Sequence, residues 1–196
     1  MQGKLIIFSG FPASGKDTLM NKLLETRPEL KKIVTYTDRP IRTGEVHTSD
    51  YHFVTTNKFH ELIHEDFFLE YVKTGPFYKG TSKTSFQPVL NGENIIWRID
   101  VSRASVVEET FKEKLGEGVA SEILSRTIKI LIQSDSYEEA RDRFQKRNPD
   151  SHFREFHTRY AQEIKIYEDN KNKFPVVLTN KNGEINKTLE ELEKLI

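Results

Sequence analysis

The apolar run KLIIFS, Lys4 to Ser9, leads directly into GFPASGKDT, Gly10 to Thr18, and the chain continues as LMNKLLETRPEL. A short continuous apolar segment bounded by glycine predicts a strand buried on both faces. The spacing of Leu19, Leu23 and Leu24 predicts a helix that Pro28 ends. Between them lies G-x-x-x-x-G-K, the pattern a loop needs when successive backbone N–H groups must point at one anion. Gly10 and Gly15 allow the backbone angles and the close approach, Ala13 and Ser14 lie within the turn, Lys16 adds a point charge, and the helix offers its positive N-terminus. Elsewhere in a chain the same letters describe a Gly-Pro turn with a solvated lysine. A strand before and a helix after favour a cradle for ATP phosphates. Asp17 stands where a Ser or Thr commonly ligates Mg²⁺, which leaves Thr18 as the expected phosphate or Mg²⁺ contact and gives Asp17, within the ATP site, two readings: reaching the ion through water, or stabilising the helix start, the second being favoured.

The strand-then-helix alternation returns three times. NIIWRID precedes SRASVVEETFKEKL, TIKILIQ precedes SYEEARDRFQKR, and FPVVLTN precedes INKTLEELEKLI. Such alternation predicts an α/β fold with a parallel sheet flanked by helices. At 196 residues without an internal repeat, a single domain is expected. Thirty Lys and Arg balance thirty Asp and Glu, so no long-range field of one sign favours nucleic acid or a membrane surface. The absence of cysteine excludes disulfides and thiolate metal sites, and the N-terminal apolar run is too short for a signal peptide or a span. A cytoplasmic protein, monomeric or a small homo-oligomer, is the expectation. His52, His60, His64, His152 and His157 form no metal-ligand pattern.

From Thr35 to Asn91 the texture changes to aromatics, Thr and Gly, with strand-like YHFV and FYKGT around amphipathic NKFHELIHEDFF. A mixed α+β insertion is predicted there. KRNPDSHFREFH reads as a flap between two helices, and GEGVASEILSR (Gly116 to Arg126), weakly periodic, as a surface elaboration. Within the insertion Arg39 and Arg42 can clamp a monophosphate through planar contacts, with the Tyr51 hydroxyl beside them; solvated loop charges are the other reading. Asp100, closing NIIWRI, suits either a carboxylate orienting Mg²⁺ at a strand end or a helix cap.

T-x-R-x-x-R-x-G-E-x-x-x-x-D-Y-x-F, Thr37 to Phe53, together with the phosphate loop, resembles the guanylate kinase family. FLEY around Glu70 resembles its F-(I/L)-E-W, FYKGT its YYG(S/T), RID at Asp100 its LDID, and RDRFQKR followed by FHTRYAQE its lid arginines. The resemblance implies one P-loop domain, with 1–34 and 92–196 as core, a helical lid near 147–157 and 35–91 as a GMP-binding insertion. It implies Mg²⁺-dependent transfer from ATP to GMP as small-molecule substrates, Mg²⁺ being met by Thr18 and Asp100, directly or through water. Thr35 and Glu70 would read the guanine edge, Arg39, Arg42 and Tyr51 would hold the GMP phosphate, and Tyr78, Thr81 and Asp100 would complete that pocket. Lys16, Arg42, Arg143, Arg147 and Arg159 would stabilise the transferring group, although Glu138, Glu139 and Asp142 also offer Arg143 and Arg147 ordinary helical pairing. Arg98 replaces the first acid of LDID, Ser102-Arg103 replaces Q-G, and Lys79 interrupts YYG. S-R-A and GKD are also similar to ribose 1,5-bisphosphate phosphokinases, and a third reading is a non-catalytic guanylate-kinase-like binding module. The intact Lys16 loop argues for an enzyme.

Overall fold

The computed structural model describes residues 3–147, 149 and 153–196. Of the expected flap and the histidines above, Asn148, Asp150, Ser151 and His152 lie outside the described residues. The main sheet has the order β2 (Leu30–Lys32), β7 (Asn94–Arg98), β1 (Leu5–Gly10), β8 (Thr127–Gln133), β9 (Val176–Thr179). All four pairings are parallel. Helices α1 (Lys16–Thr26) and α9 (Ile185–Glu193) cover one face. The other face carries α3 (Gln87–Leu90), α4 (Val101–Ser105), α5 (Val107–Leu115), α6 (Glu117–Leu124), α7 (Tyr137–Arg147) and α8 (Phe153–Asp169). No helix among the described residues is long and apolar enough to cross a membrane.

Strand parity explains the three layers. Leu5 and Ile7 of β1 pack with Ile95, Trp97 and Leu131 toward α4 to α8, whereas Ile6 and Phe8 pack with Ile96, Ile130 and Ile132 toward Leu19, Leu23 and Leu192. Successive side chains of a strand point to opposite faces, so an unbroken apolar run is stable only where both faces are covered. GEGVASEILSR departs from its expected role: it forms α6, with Ala120 and Ile123 buried in the main core against α5. Its helical stripe is only two residues wide, too little for periodicity to show.

A second sheet, ordered β4 (His52–Phe53), β3 (Tyr36–Thr37), β6 (Phe77–Ser82), β5 (Phe68–Thr74), rises from the carboxyl side of the first. Its β5–β6 and β3–β6 pairings are antiparallel and its β3–β4 pairing is parallel. Helix α2 (Thr56–His64), capped by the Thr55 side chain, packs Phe59 and Leu62 on Phe68. Phe86 and Val89, just after this sheet, belong to the main core beside Trp97. The two sheets are therefore bound through shared apolar contacts, and the cleft between them is built on packed elements.

Candidate active site

The cleft opens at the carboxyl ends of β1 and β7, where parallel sheets place their ligands. Its volume is about 720 Å³. On one wall, Phe11 to Gly15 turn so that Ala13 (φ 59°) and Gly15 (φ 83°) are left-handed. A Cβ on Gly15 would lie 2.3 Å from Asn180 Nδ2, and one on Gly10 2.3 Å from the Ile132 carbonyl oxygen, so both glycines answer to close approach. The loop is braced from behind: Asn180 Nδ2 donates to the Ser14 carbonyl at 2.8 Å, and so does Arg143 Nη1 at 3.3 Å. Ala13, Gly15, Lys16, Asp17 and Thr18 line the cleft, while Gly10 and Ser14 shape the loop beneath it. Lys16 Nζ donates to the Phe11 carbonyl at 3.3 Å, and burial lowers its pKa against the opposing pull of Asp17 and Glu163.

The opposite wall holds Thr35, Arg42, Tyr51, Glu70, Lys79, Arg98, Asp100 and Arg103. The two insertion arginines separate by role. Arg39 is buried, forms a two-pronged ion pair with Glu45, and lies over the rings of Tyr51 and Phe53 at 5.0 and 5.3 Å. Arg42 is exposed and faces the cleft. Arg39, expected as a phosphate ligand, thus props Tyr51 from outside the cleft, because Glu45 of the same loop takes its fork. The Arg39 hydrogen bond pulls the Glu45 carboxyl from 4.5 to about 2. A depressed carboxylate stabilises the fold fully above its unfolded value of about 4.3 and stops doing so as pH falls through its folded one. In urea titrations the wild-type midpoint should drop between pH ~4.5 and ~2 more steeply than that of Glu45→Gln. Parallel curves would show that the pair contributes nothing.

Tyr51 is the hub of this wall. Arg98 Nη2 donates to its hydroxyl at 3.3 Å, and Lys79 Nζ lies 5.4 Å from its ring. Burial raises the phenol's pKa, but the charges of Lys79, Arg98 and Arg39 prevail and lower it. Tyr78 requires a correction: its ring stacks on Phe59 at 5.4 Å, away from the cleft, and its neighbour Lys79 lines the cleft instead. Residues one apart on β6 face opposite ways, so Lys79 and Thr81 share the side that Tyr78 cannot. Thr81 does not line the cleft; its hydroxyl donates to Glu70 Oε1 at 2.6 Å.

Asp100 is both cap and wall. Its Oδ1 accepts the Arg103 backbone N–H at 3.1 Å and the Ser102 hydroxyl at 2.7 Å, and Arg103 Nη2 donates to Oδ2. Burial raises its pKa, yet Arg103 and Ser102 lower it overall. Three of the roughly four lone-pair sites of Asp100 are thus taken by the cap and by Arg103. Arg143 also moves from expectation: it donates to Glu139 at 2.7 Å and to the Ser14 and Asn180 carbonyls, behind the phosphate loop and off the cleft. Glu139 is one helical turn away, the spacing at which such pairs form. Arg147 and Arg159 do line the cleft, Arg159 pairing with Glu163 at 2.9 Å.

Glu163 and Asn180 were not foreseen. Glu163 of α8 is buried beside Lys16, its pKa raised by burial against the pull of Arg159 and Lys16. Its only sequence signal is a place four residues after Arg159. In all, the cleft carries Lys16, Arg42, Lys79, Arg98, Arg103, Arg147 and Arg159 against Asp17, Glu70, Asp100, Glu155 and Glu163. A chain of zero net charge thus concentrates cations where anions would lie.

A parallel sheet, a glycine-rich loop running into a helix and a cationic cleft across from it define the P-loop phosphotransferase class. The guanylate kinase family pattern matches residues 2–196. The chain belongs to the guanylate kinase family. It is 32% identical over 196 residues to a guanylate kinase of Wolbachia sp. subsp. Brugia malayi, covering all of this chain and 92% of that protein. It is 36% identical over 152 residues to one of Nostoc sp., covering 77% of this chain and 70% of that one. A crystal structure of guanylate kinase from Anaplasma phagocytophilum superposes with a TM-score of 0.68 at 21% identity, over 98% of this chain and 84% of that one, a likeness of fold.

Proposed function

We infer that this chain is an enzyme that transfers the γ-phosphoryl group of ATP to GMP, giving ADP and GDP. The single observation that carries the reading is that one cleft joins the Lys16 loop to a facing wall of Arg42, Tyr51, Thr35 and Glu70. The family relationship favours neither the ribose 1,5-bisphosphate kinase nor the non-catalytic module. The loop amides and Lys16 hold the donor phosphates. Arg42, Tyr51, Lys79 and Arg98 hold the acceptor phosphate, and Arg147 and Arg159 offset the charge on the transferring group. Catalysis of this kind is positioning plus electrostatics, and no covalent intermediate is needed.

Magnesium fits the donor side. Asp17, whose Oδ1 pairs with Arg98 at 3.3 Å, and Thr18 present exposed oxygens on the first turn of α1, and this hard cation takes most of its ligands from phosphate and water. When bound with ATP, it supplies charge neutralisation between the phosphates. The absence of cysteine and the use of ATP agree with a cytoplasmic setting.

The test is an ADP-release assay with ATP and Mg²⁺ against GMP, dGMP, AMP, UMP, CMP and ribose 1,5-bisphosphate. A buried carboxylate left unpaired by the wrong base discriminates strongly, so kcat/KM for GMP should exceed that for AMP by about 10⁴-fold. Turnover confined to ribose 1,5-bisphosphate, or no turnover, would refute the reading.

A further inference from the structure

Arg103 is the cleft cation that the chemistry above leaves without a task. It stands in the first turn of α4 as one guanidinium between two carboxylates. Its Nη1 donates to Glu70 Oε2 at 2.8 Å and its Nη2 to Asp100 Oδ2. On the other side of Glu70, Thr81 donates to Oε1 at 2.6 Å and itself accepts from Trp97 Nε1 at 3.2 Å. Each Glu70 oxygen therefore already holds one donor. An ionised carboxylate has about four lone-pair sites, so about two remain, one on each oxygen. A guanine edge offers two adjacent donors, N1–H and the 2-amino group.

We propose that Arg103 is a positioning residue for recognition of the acceptor base: with Thr81 it holds the Glu70 carboxylate so that both oxygens meet a guanine edge together. This rests on GMP being the acceptor. The guanidinium is planar and its donors are fixed in a fork, so bridging Glu70 to Asp100 sets the plane of the Glu70 carboxylate. A lysine there would supply charge without a plane. Asp100 is itself held by Ser102 and by the backbone of α4, so the bridge is anchored to the main sheet.

The electrostatics agree. Burial raises the Glu70 pKa and Asp100 adds to the rise, while Arg103 and Thr81 oppose it. Arg103 and Asp100 are the charged groups that act on Glu70, with Lys79 of β6 lining the same cleft; Lys73 shares its strand, and α5, packed on β5, carries Glu108, Glu109, Lys112, Glu113 and Lys114. Without Arg103, two carboxylates would share a buried wall, and Glu70 would take up a proton at higher pH. A protonated carboxyl carries a donor where the base needs an acceptor.

The test compares wild type with Arg103→Met, which keeps the apolar stem, and Arg103→Lys, which keeps the charge. Acceptors are GMP and IMP, the same ring lacking the 2-amino group. Arg103→Met should lower kcat/KM for GMP by about tenfold or more and shrink the GMP:IMP ratio, with the acid limb of the GMP profile moved to higher pH. Arg103→Lys should restore the acid limb but not the ratio. An unchanged ratio and acid limb in Arg103→Met, or a gain in GMP efficiency showing that Arg103 merely plugs the pocket, would overturn the inference. Should Arg103→Met fail to fold by circular dichroism, the ratio in Arg103→Lys decides. A wild type inert toward GMP would remove the acceptor reading itself, and that arm is read before any variant.

Discussion

Replacing Lys16 with alanine is expected to lower single-turnover phosphoryl transfer by about a thousandfold while leaving the fold intact. The prediction follows from what the ammonium does in the free cleft. It makes one long hydrogen bond, 3.3 Å to the Phe11 carbonyl, and burial lowers its pKa, so it contributes little to stability. Its charge is held beside Asp17 and Glu163, at the mouth of a loop whose amides address the same anion. The free energy of unfolding should therefore change by no more than about 1 kcal/mol. Rapid-quench assays with ATP and GMP measure the first quantity and calorimetry the second. Equal transfer rates would dispose of the phosphate cradle.

Trp97→Ala is expected to destabilise the chain by about 3–5 kcal/mol, the usual cost of removing a buried aromatic. Trp97 is fully buried on β7 and meets Phe86 edge-on at 4.8 Å and Phe111 face-on at 6.0 Å. Phe86 follows the second sheet in the chain and Phe111 lies on α5, so one side chain ties three parts of the core together. Denaturant titration by circular dichroism measures the loss. A midpoint like that of wild type would show that the cavity collapses without cost. The milder Trp97→Phe separates packing from polar function: the ring remains but the donor to Thr81 is gone. That variant should fold and show a raised KM for GMP, because Thr81 is then less constrained against Glu70.

Much of the architecture was legible because it is encoded locally. NIIWRID, TIKILIQ and FPVVLTN became β7, β8 and β9 with boundaries shifted by a residue or two. Pro28 ended α1 two residues early, at Thr26, as the restriction on the residue before proline requires. The strand β2 was missed since three residues carry no periodicity. The break at Val106, which divides SRASVVEETFKEKL into α4 and α5, likewise has no glycine or proline to announce it.

The site residues divide along a different line. Tyr78 and Lys79 differ by one step along a strand, and the apparent match to an aromatic drew attention to the wrong parity. Arg39, Arg42 and Arg143 are identical as letters. Glu45 claims the first, the cleft receives the second, and Glu139 with two carbonyls holds the third. The phosphate loop and the strand–helix alternation of its parallel sheet were set by sequence alone, because glycine geometry, apolar runs and helical spacing act between neighbours. Which cation faces a phosphate and which faces a carboxylate was decided only in three dimensions. Arg103 and Glu70 are thirty-three residues apart, and their 2.8 Å contact exists because strand β5 and the start of helix α4 meet at one wall.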